Sequence, residues 1–140
     1  MTLVIDASVA TKWLFHNKPA EQDVKQALAI LRTLQNEEAD AIQPPHWLVE
    51  VLSVVAREAP AFVEEALDVL KGLELPISTG AQVYRRAAHL SNQLKHHMFD
   101  TLYHAIALEH GAMLITADDI YFAKAFRLGN IKLLVNYVES

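Results

Sequence analysis

Two aspartates follow short apolar runs at places where a parallel sheet would open into a crevice. Asp6 comes directly after the apolar residues 3–5, and Asp118 follows the apolar run 112–115 at the start of a predicted helix. Ligands of open α/β sheets bind beyond the carboxyl ends of the strands. If the two strands are neighbours, both carboxylates therefore face the same crevice.

Two further acids lie inside apolar helical segments. Glu50 is the only charged residue between positions 46 and 56, and Asp100 is the only acidic one from 99 to 108. Burying an isolated carboxylate is costly unless it is paired or bound to a metal. Asp100 begins the helix that leads to strand 112–115, so it could reach the same end of the sheet. Glu50 would have to reach in from its own helix, which the sequence leaves open.

Carboxylates that converge in this way need cations. Two carboxylates about 5 Å apart repel each other by roughly 3 kcal/mol at an effective dielectric constant of about 20. The chain has no cysteine and no histidine pair at metalloprotease spacing, so its oxygen ligands favour Mg²⁺ or Mn²⁺ over Zn²⁺. Magnesium held by a few carboxylates keeps positions open for phosphate oxygens and water, which metal-assisted phosphodiester hydrolysis requires.

The elements that must position these acids alternate between strands and helices. The pattern predicts strands at 2–5, 39–42, 75–77, 112–115 and 131–135. It predicts helices at 7 to about 15, 19 to about 37, 46–57, 60–72, 79 to about 94, 99–110 and 116–126. Ser78 or Thr79 should cap the fifth helix, and Gly111 should end the sixth. Strands joined by helices of crossover length indicate an α/β fold, a three-layer α/β/α domain with a parallel sheet.

Composition indicates one domain over residues 1–140. Hydrophobic residues make up 52% of the chain, but they form short periodic segments and no run that could span a membrane.

We expect a cytoplasmic protein, because no secretory signal pattern is found and the absence of cysteine suits a reducing compartment. The net charge of -5 argues against a general nucleic-acid coat protein but is compatible with an enzyme acting on nucleic acid.

Each acid also has a simpler structural explanation. Asp6 could merely cap the helix that follows it. Thr116 and Asp119 fit a capping box, which favours a structural role for Asp119. The alternative pairs along helices are Glu50 with Arg57 and Asp100 with His104.

The remaining polar and aromatic clusters are interpreted mainly as structural. The seven histidines are interpreted as helix-surface or core residues rather than metal ligands. One basic stretch is interpreted as a solvated helix face, with contact to an RNA backbone as the alternative: Arg85, Arg86, Lys95, His96 and His97. Three aromatic residues are interpreted as core or interface residues: Trp13, Phe15 and Trp47.

Three segments together resemble a PIN domain, of the kind found in VapC-type toxins of toxin-antitoxin pairs. They are VIDASV near the start, PPHWLVEVLSVV in the middle, and FDTLYHAIALEHGAMLITADDIYFAKA toward the end. The most specific part is D-T-L-Y-H-A-I-A-L followed by L-I-T-A-D-D. The resemblance implies a ribonuclease that depends on Mg²⁺ or Mn²⁺ and has a parallel sheet of about five strands flanked by helices.

Position by position, the resemblance also implies roles for individual residues. The implied catalytic acids are Asp6, Glu50, Asp100 and Asp118, and the polar residues that support them are Ser8 and Thr116. Asp6, Asp100 and Asp118 would hold one or two cations that activate water for attack on an RNA phosphodiester, and Glu50 would act directly or through water. Asp119 lies where the family varies.

The partners of the protein are likewise implied by the resemblance. They are an RNA substrate, a cognate antitoxin that covers the acidic cleft, and a second copy of the chain in a homodimer. The alternatives are a PIN fold that binds RNA or protein without cleaving, and a stand-alone RNA-processing nuclease. Other folds with a strand-end aspartate fit poorly: a dehalogenase-like phosphatase needs an acid at Ser8, and a metal-dependent adhesion module needs a serine at Ala10.

Overall fold

A computed structural model of the chain describes residues 1–15, 17 and 22–138. Four parallel strands form one sheet in the order β2-β1-β3-β4. They are β1 (Thr2–Ile5), β2 (Asp40–Ala41), β3 (Met113–Thr116) and β4 (Ile131–Leu133). The two strands that end near Asp6 and Asp118 are therefore direct neighbours, as the sequence required for one shared crevice.

Seven α-helices flank the sheet in the part of the chain that the structure describes. They are α1 (Ala7–Leu14), α2 (Val24–Gln35), α3 (Trp47–Glu58), α4 (Val63–Gly72), α5 (Ala81–Leu94), α6 (Met98–His110) and α7 (Asp119–Ala125). Short 3-10 turns occur at Pro60–Phe62, Phe126–Leu128 and Leu134–Asn136. None of the described helices is both long enough and apolar enough to cross a membrane.

The sheet is covered on both faces. Leu3, Val4 and Ile5 of β1 are all fully buried, and consecutive strand residues point to opposite faces of a sheet. A continuous apolar run of this kind is typical of parallel strands packed between helices. The aromatic residues that were interpreted as core or interface residues are buried: Trp13, Phe15 and Trp47.

The strand that the sequence predicted at 75–77 is not formed in the described chain, and Gln43 supplies hydrogen bonds in its place. Ile77 makes a single parallel bridge with Gln43. Gln43 also bonds through its backbone to both neighbours of Ile77, at 2.9 Å each. Its side-chain amide accepts from the Ile5 N–H at 2.7 Å and donates to the Ile5 carbonyl at 2.8 Å. One buried side chain thus continues the hydrogen bonding of β1 beyond β2, and the sheet has four strands rather than about five.

Four helices, α2, α4, α5 and α7, begin two to five residues later than predicted. α2 begins at Val24 rather than at Pro19, which lies outside the described residues. α5 begins after Gly80, so the predicted cap at Ser78 or Thr79 is wrong. The Ser78 hydroxyl lies 3.1 Å from a ring nitrogen of His110 instead, because its backbone is occupied by the bridge to Gln43.

The end and the start of α6 are both firmly held. Gly111 ends the helix, as predicted, with a left-handed φ of 62° that glycine adopts without strain and that turns the chain into β3. At the other end, the buried hydroxyl of Thr101 donates to the carbonyl of Ala87 in α5 at 2.8 Å. This bond fixes the first turn of α6, in which Asp100 lies.

Candidate metal centre

Asp6 links the end of β1 to the start of α1. It is the N-cap residue of α1, and its Oδ2 accepts from the backbone N–H of Ser8 at 3.0 Å. The Ser8 hydroxyl donates to the same Oδ2 and accepts from the N–H of Ala117 at 3.0 Å. Ser8 therefore joins the turn after β1 to the turn after β3, and the capping role expected of Asp6 is confirmed.

Asp118 holds the equivalent place after β3. Its Oδ1 accepts from the N–H of Tyr121 at 3.0 Å, and its own N–H donates to Thr116 Oγ1 at 3.0 Å. The cap of α7 is therefore Asp118, and the predicted capping box between Thr116 and Asp119 is wrong. Asp119 is exposed one residue further on.

Asp100 lies beside Asp118 and is bonded to a histidine. The Nε2 atom of His96 is 2.6 Å from Asp100 Oδ2. His96, Asp100 and Asp118 each offer a ligand atom, and these atoms all lie within 4.8 Å of one another. The alternative pairing of Asp100 with His104 is wrong, since His104 is buried and bonds to Tyr121 at 2.8 Å.

The side chain of Glu50 reaches the site from α3. The sequence had left open whether it would do so. Its Oε1 accepts from the hydroxyl of the buried Tyr103 at 2.7 Å and from His46 Nε2 at 3.0 Å. Burial lowers the pKa of His46, but the hydrogen bond and charge of Glu50, together with the Phe99 carbonyl and the charge of Asp100, outweigh it, and the net shift is upward. The alternative pairing of Glu50 with Arg57 is wrong, because Arg57 pairs with Glu58 at 3.7 Å.

The electrostatics of Asp6 show that the acids face one another. Its pKa is raised to about 6, first by burial and then by the charges of Asp100 and Glu50, against the opposing effect of the hydrogen bonds from Ser8. The pKa of the Tyr121 hydroxyl is also raised, first by burial and then by the charges of Asp100, Asp6 and Asp118. The structure thus brings all four predicted acids to one region, with Asp100 and Asp118 in closest association.

This donor set fits a hard divalent cation. Carboxylate oxygens dominate it, as Mg²⁺ and Mn²⁺ prefer, while both ring nitrogens of His96 are engaged, Nε2 with Asp100 and Nδ1 with the Lys124 ammonium. The upward shift of the Asp6 pKa comes first from burial, and the negative charges of Asp100 and Glu50 add to it. A cation bound among these carboxylates would offset that repulsion.

We expect Asp6→Asn to stabilise the metal-free protein at high pH. Because the folded pKa of Asp6 is raised from 3.8 to about 6, the stability linked to its protonation is present below about pH 4 and is lost as the pH rises through 6. Asparagine keeps a cap acceptor but carries no charge. The variant should therefore gain about 2 kcal/mol in the free energy of unfolding at pH 8, and little at pH 4.

Urea unfolding in EDTA at the two pH values measures this difference. Asp68→Asn, which removes the same charge from an exposed site on α4, should change stability by about 0.5 kcal/mol or less at either pH. An Asp6→Asn variant no more stable than the parent chain at pH 8 would contradict the assignment of Asp6 to a crowded acidic pocket.

Sequence reasoning missed the side chains that orient the acids. His46 and Glu50 are four residues apart, and so are His96 and Asp100. This helical spacing was a usable signal, because residues at i and i+4 lie on one helix face. The histidines were instead interpreted as surface or core residues, and the contact of Tyr103 with Glu50 joins two helices whose packing the sequence does not reveal.

Comparison with known protein families identifies the class. The family model of the PIN domain matches residues 3–127, which is most of the chain and includes all four acids. The protein belongs to the PIN domain family. A search of curated protein sequences finds no significant match.

Among solved structures, the fold is similar to a chain of the complex described as "Crystal structure of VapBC2 from Rickettsia felis bound to a DNA fragment from their promoter". The TM-score is 0.63 at 17% sequence identity, and the match covers 95% of this chain and 97% of the other. At this identity the similarity establishes the common fold.

Proposed function

We propose that the protein is a metal-dependent endoribonuclease and the toxin of a toxin-antitoxin pair. The observation that supports this most directly is the convergence of acids from four separate elements on one pocket. PIN domains are typically metal-dependent nucleases. An acidic pocket in which the pKa of one buried carboxyl, that of Asp6, is raised is also the kind of site in which function is often found.

Asp6, Asp100 and Asp118 would hold Mg²⁺ or Mn²⁺, and Glu50 would assist directly or through water. When bound, the cation would polarise a phosphate oxygen and lower the pKa of water. The chain's own residues keep the acids in place for this task. Ser8 ties the two strand-end turns together, Thr116 supports the turn that holds Asp118, and His46 with Tyr103 fixes one oxygen of Glu50.

The partner assignment is a proposal of the same kind. The similar structure is a VapBC2 complex bound to promoter DNA, by its description. We propose that this chain also acts with a cognate antitoxin that covers the acidic pocket, that it forms a homodimer, and that it functions in the cytoplasm. A short open reading frame immediately upstream that encodes a DNA-binding protein is expected. Its absence would favour a stand-alone RNA-processing nuclease.

A cleavage assay tests the proposed activity. Purified protein should cut single-stranded RNA in millimolar Mn²⁺ or Mg²⁺, and excess EDTA should abolish cleavage. An Asp6→Asn protein purified in parallel controls for contaminating ribonuclease, since it should be inactive while a contaminant would remain. RNA binding without cleavage under all these conditions would contradict the enzyme and support a non-cleaving PIN module.

A further inference from the structure

A basic cleft adjoins the acidic pocket. It is an open depression of ≈ 500 Å³ lined by Ser91, Lys95, His96, His97 and Lys124. Lys95, His97 and Lys124 are exposed, while His96 is half-buried and belongs to the group formed with Asp100 and Asp118. The cleft and the acidic pocket therefore share one wall.

Hydrogen bonds connect the two sites through His96. The ammonium of Lys124 lies 3.2 Å from His96 Nδ1 and donates to the carbonyl of Lys95 at 3.0 Å. An ammonium group can only donate, so His96 Nδ1 accepts and Nε2 carries the proton that is shared with Asp100 at 2.6 Å. One imidazole ring thus separates the Lys124 charge from the acidic centre.

The structure places the residues of the basic stretch found in the sequence at different sites. Arg86 pairs with Glu109 at 2.9 Å, and Arg85 donates to Gln82 on its own helix at 2.7 Å. The lysine of that stretch, Lys95, instead lines the cleft. Lys124, from a distant segment, completes the cleft. In a chain of net charge -5, two lysines beside an acidic pocket form a local cationic site.

Lys95 occupies a backbone position that suits glycine better. It caps α5 with a left-handed φ of 54°. Glycine is the residue most often found at such helix ends, because a Cβ atom is strained there. A Lys95→Gly change therefore removes the lysine side chain and relieves backbone strain at the same time.

We propose that this cleft binds a backbone phosphate of single-stranded RNA next to the phosphodiester that is cut, with Lys95 and Lys124 as the contacts. The inference rests on the proposed ribonuclease function. The acidic pocket repels the RNA polyanion until cations are bound, and two lysines one imidazole away supply an attraction. Because phosphate contacts are independent of base identity, the cleft would position RNA without selecting its sequence.

Two variants test the proposal. Lys124→Met and Lys95→Gly should each raise the KM for RNA about fivefold or more, as loss of one phosphate contact does. Each should also reduce the slope of log Kd against log salt by about 0.7, measured by fluorescence anisotropy with labelled single-stranded RNA in EDTA. Lys95→Gly should at the same time raise the Tm by about 3 °C through relief of backbone strain.

Matched control variants separate the loss of the lysine charge from the change in backbone strain and from the loss of a cation elsewhere on the surface. Glu74→Gly changes another exposed residue with left-handed φ, 51°, and should raise the Tm without weakening RNA binding. Arg85→Ala removes a cation that bonds to Gln82 on its own helix and does not line the cleft, and it should leave KM within about twofold. RNA binding that neither lysine variant changes would overturn the proposal. It is also the result expected if the cleft binds an acidic peptide rather than RNA. A parent chain that neither binds nor cuts RNA would instead refute the ribonuclease function.

Discussion

Asp100→Asn is expected to reduce RNA cleavage by at least about 10³-fold, or roughly 4 kcal/mol of transition-state stabilisation. Asp100 is coupled to three other groups of the site. It is bonded to His96, one of its oxygens lies within 4.8 Å of an oxygen of Asp118, and its charge contributes to the raised pKa of Asp6. Asparagine preserves its shape but removes the negative charge that would hold a cation. Single-turnover cleavage at saturating Mn²⁺ measures the change.

Asp119→Asn is the matched control for this prediction. The residue adjoins Asp118 and is exposed in the first turn of α7. Its removal should change the cleavage rate by about twofold or less, because surface charges contribute little. Manganese binding, followed by the rise in Tm with added Mn²⁺, should weaken in Asp100→Asn and persist in Asp119→Asn. Equal losses of activity in the two variants would show that general negative charge matters rather than the Asp100 position.

The positions of the two acids at strand ends were predictable, because each depends on the residues next to it in the sequence. Asp6 and Asp118 both follow apolar runs, and a cap at Asp6 was also visible in the sequence, whereas the cap of α7 was assigned to Thr116 instead of Asp118. Asp100 was predictable from its place in the first turn of the helix that leads into β3. That Glu50 lies near them depends on how α3 packs against α6, through its bond to Tyr103, and no local pattern encodes that packing.

The basic cleft and the sheet edge were not predictable for the same reason. Lys124 and Lys95 are distant in sequence and meet only through the packing of α7 beside the end of α5. At the sheet edge, residues 75–77 have a strand-like sequence but pair at one position only. A glutamine side chain supplies the hydrogen bonds that a longer strand would have supplied, which alternation of apolar residues does not reveal.

Gln43→Ala should therefore be among the most destabilising single changes in the chain. It leaves both the N–H and the carbonyl of Ile5 without their partner, in the residue directly before Asp6. Each unsatisfied buried polar group costs about 1–3 kcal/mol, and with the cavity left behind we expect a loss of about 3–5 kcal/mol in the free energy of unfolding. Urea unfolding measures the loss. Gln93→Ala, at an exposed position on α5, should change stability by about 0.5 kcal/mol or less.

Gln43→Glu tests the hydrogen bonds separately from the cavity, because the two side chains have nearly the same shape. The ionised carboxyl can accept from the Ile5 N–H but repels the Ile5 carbonyl, whereas the protonated form can donate to it. Burial raises the folded pKa of such a group, so its stabilising protonation is complete below the unfolded pKa and is lost as the pH rises through the folded one. The deficit relative to the parent chain should be largest at pH 8 and should shrink toward pH 4. A deficit that does not change with pH would show that shape at this position, rather than the paired bonds to Ile5, holds the end of β1 in place.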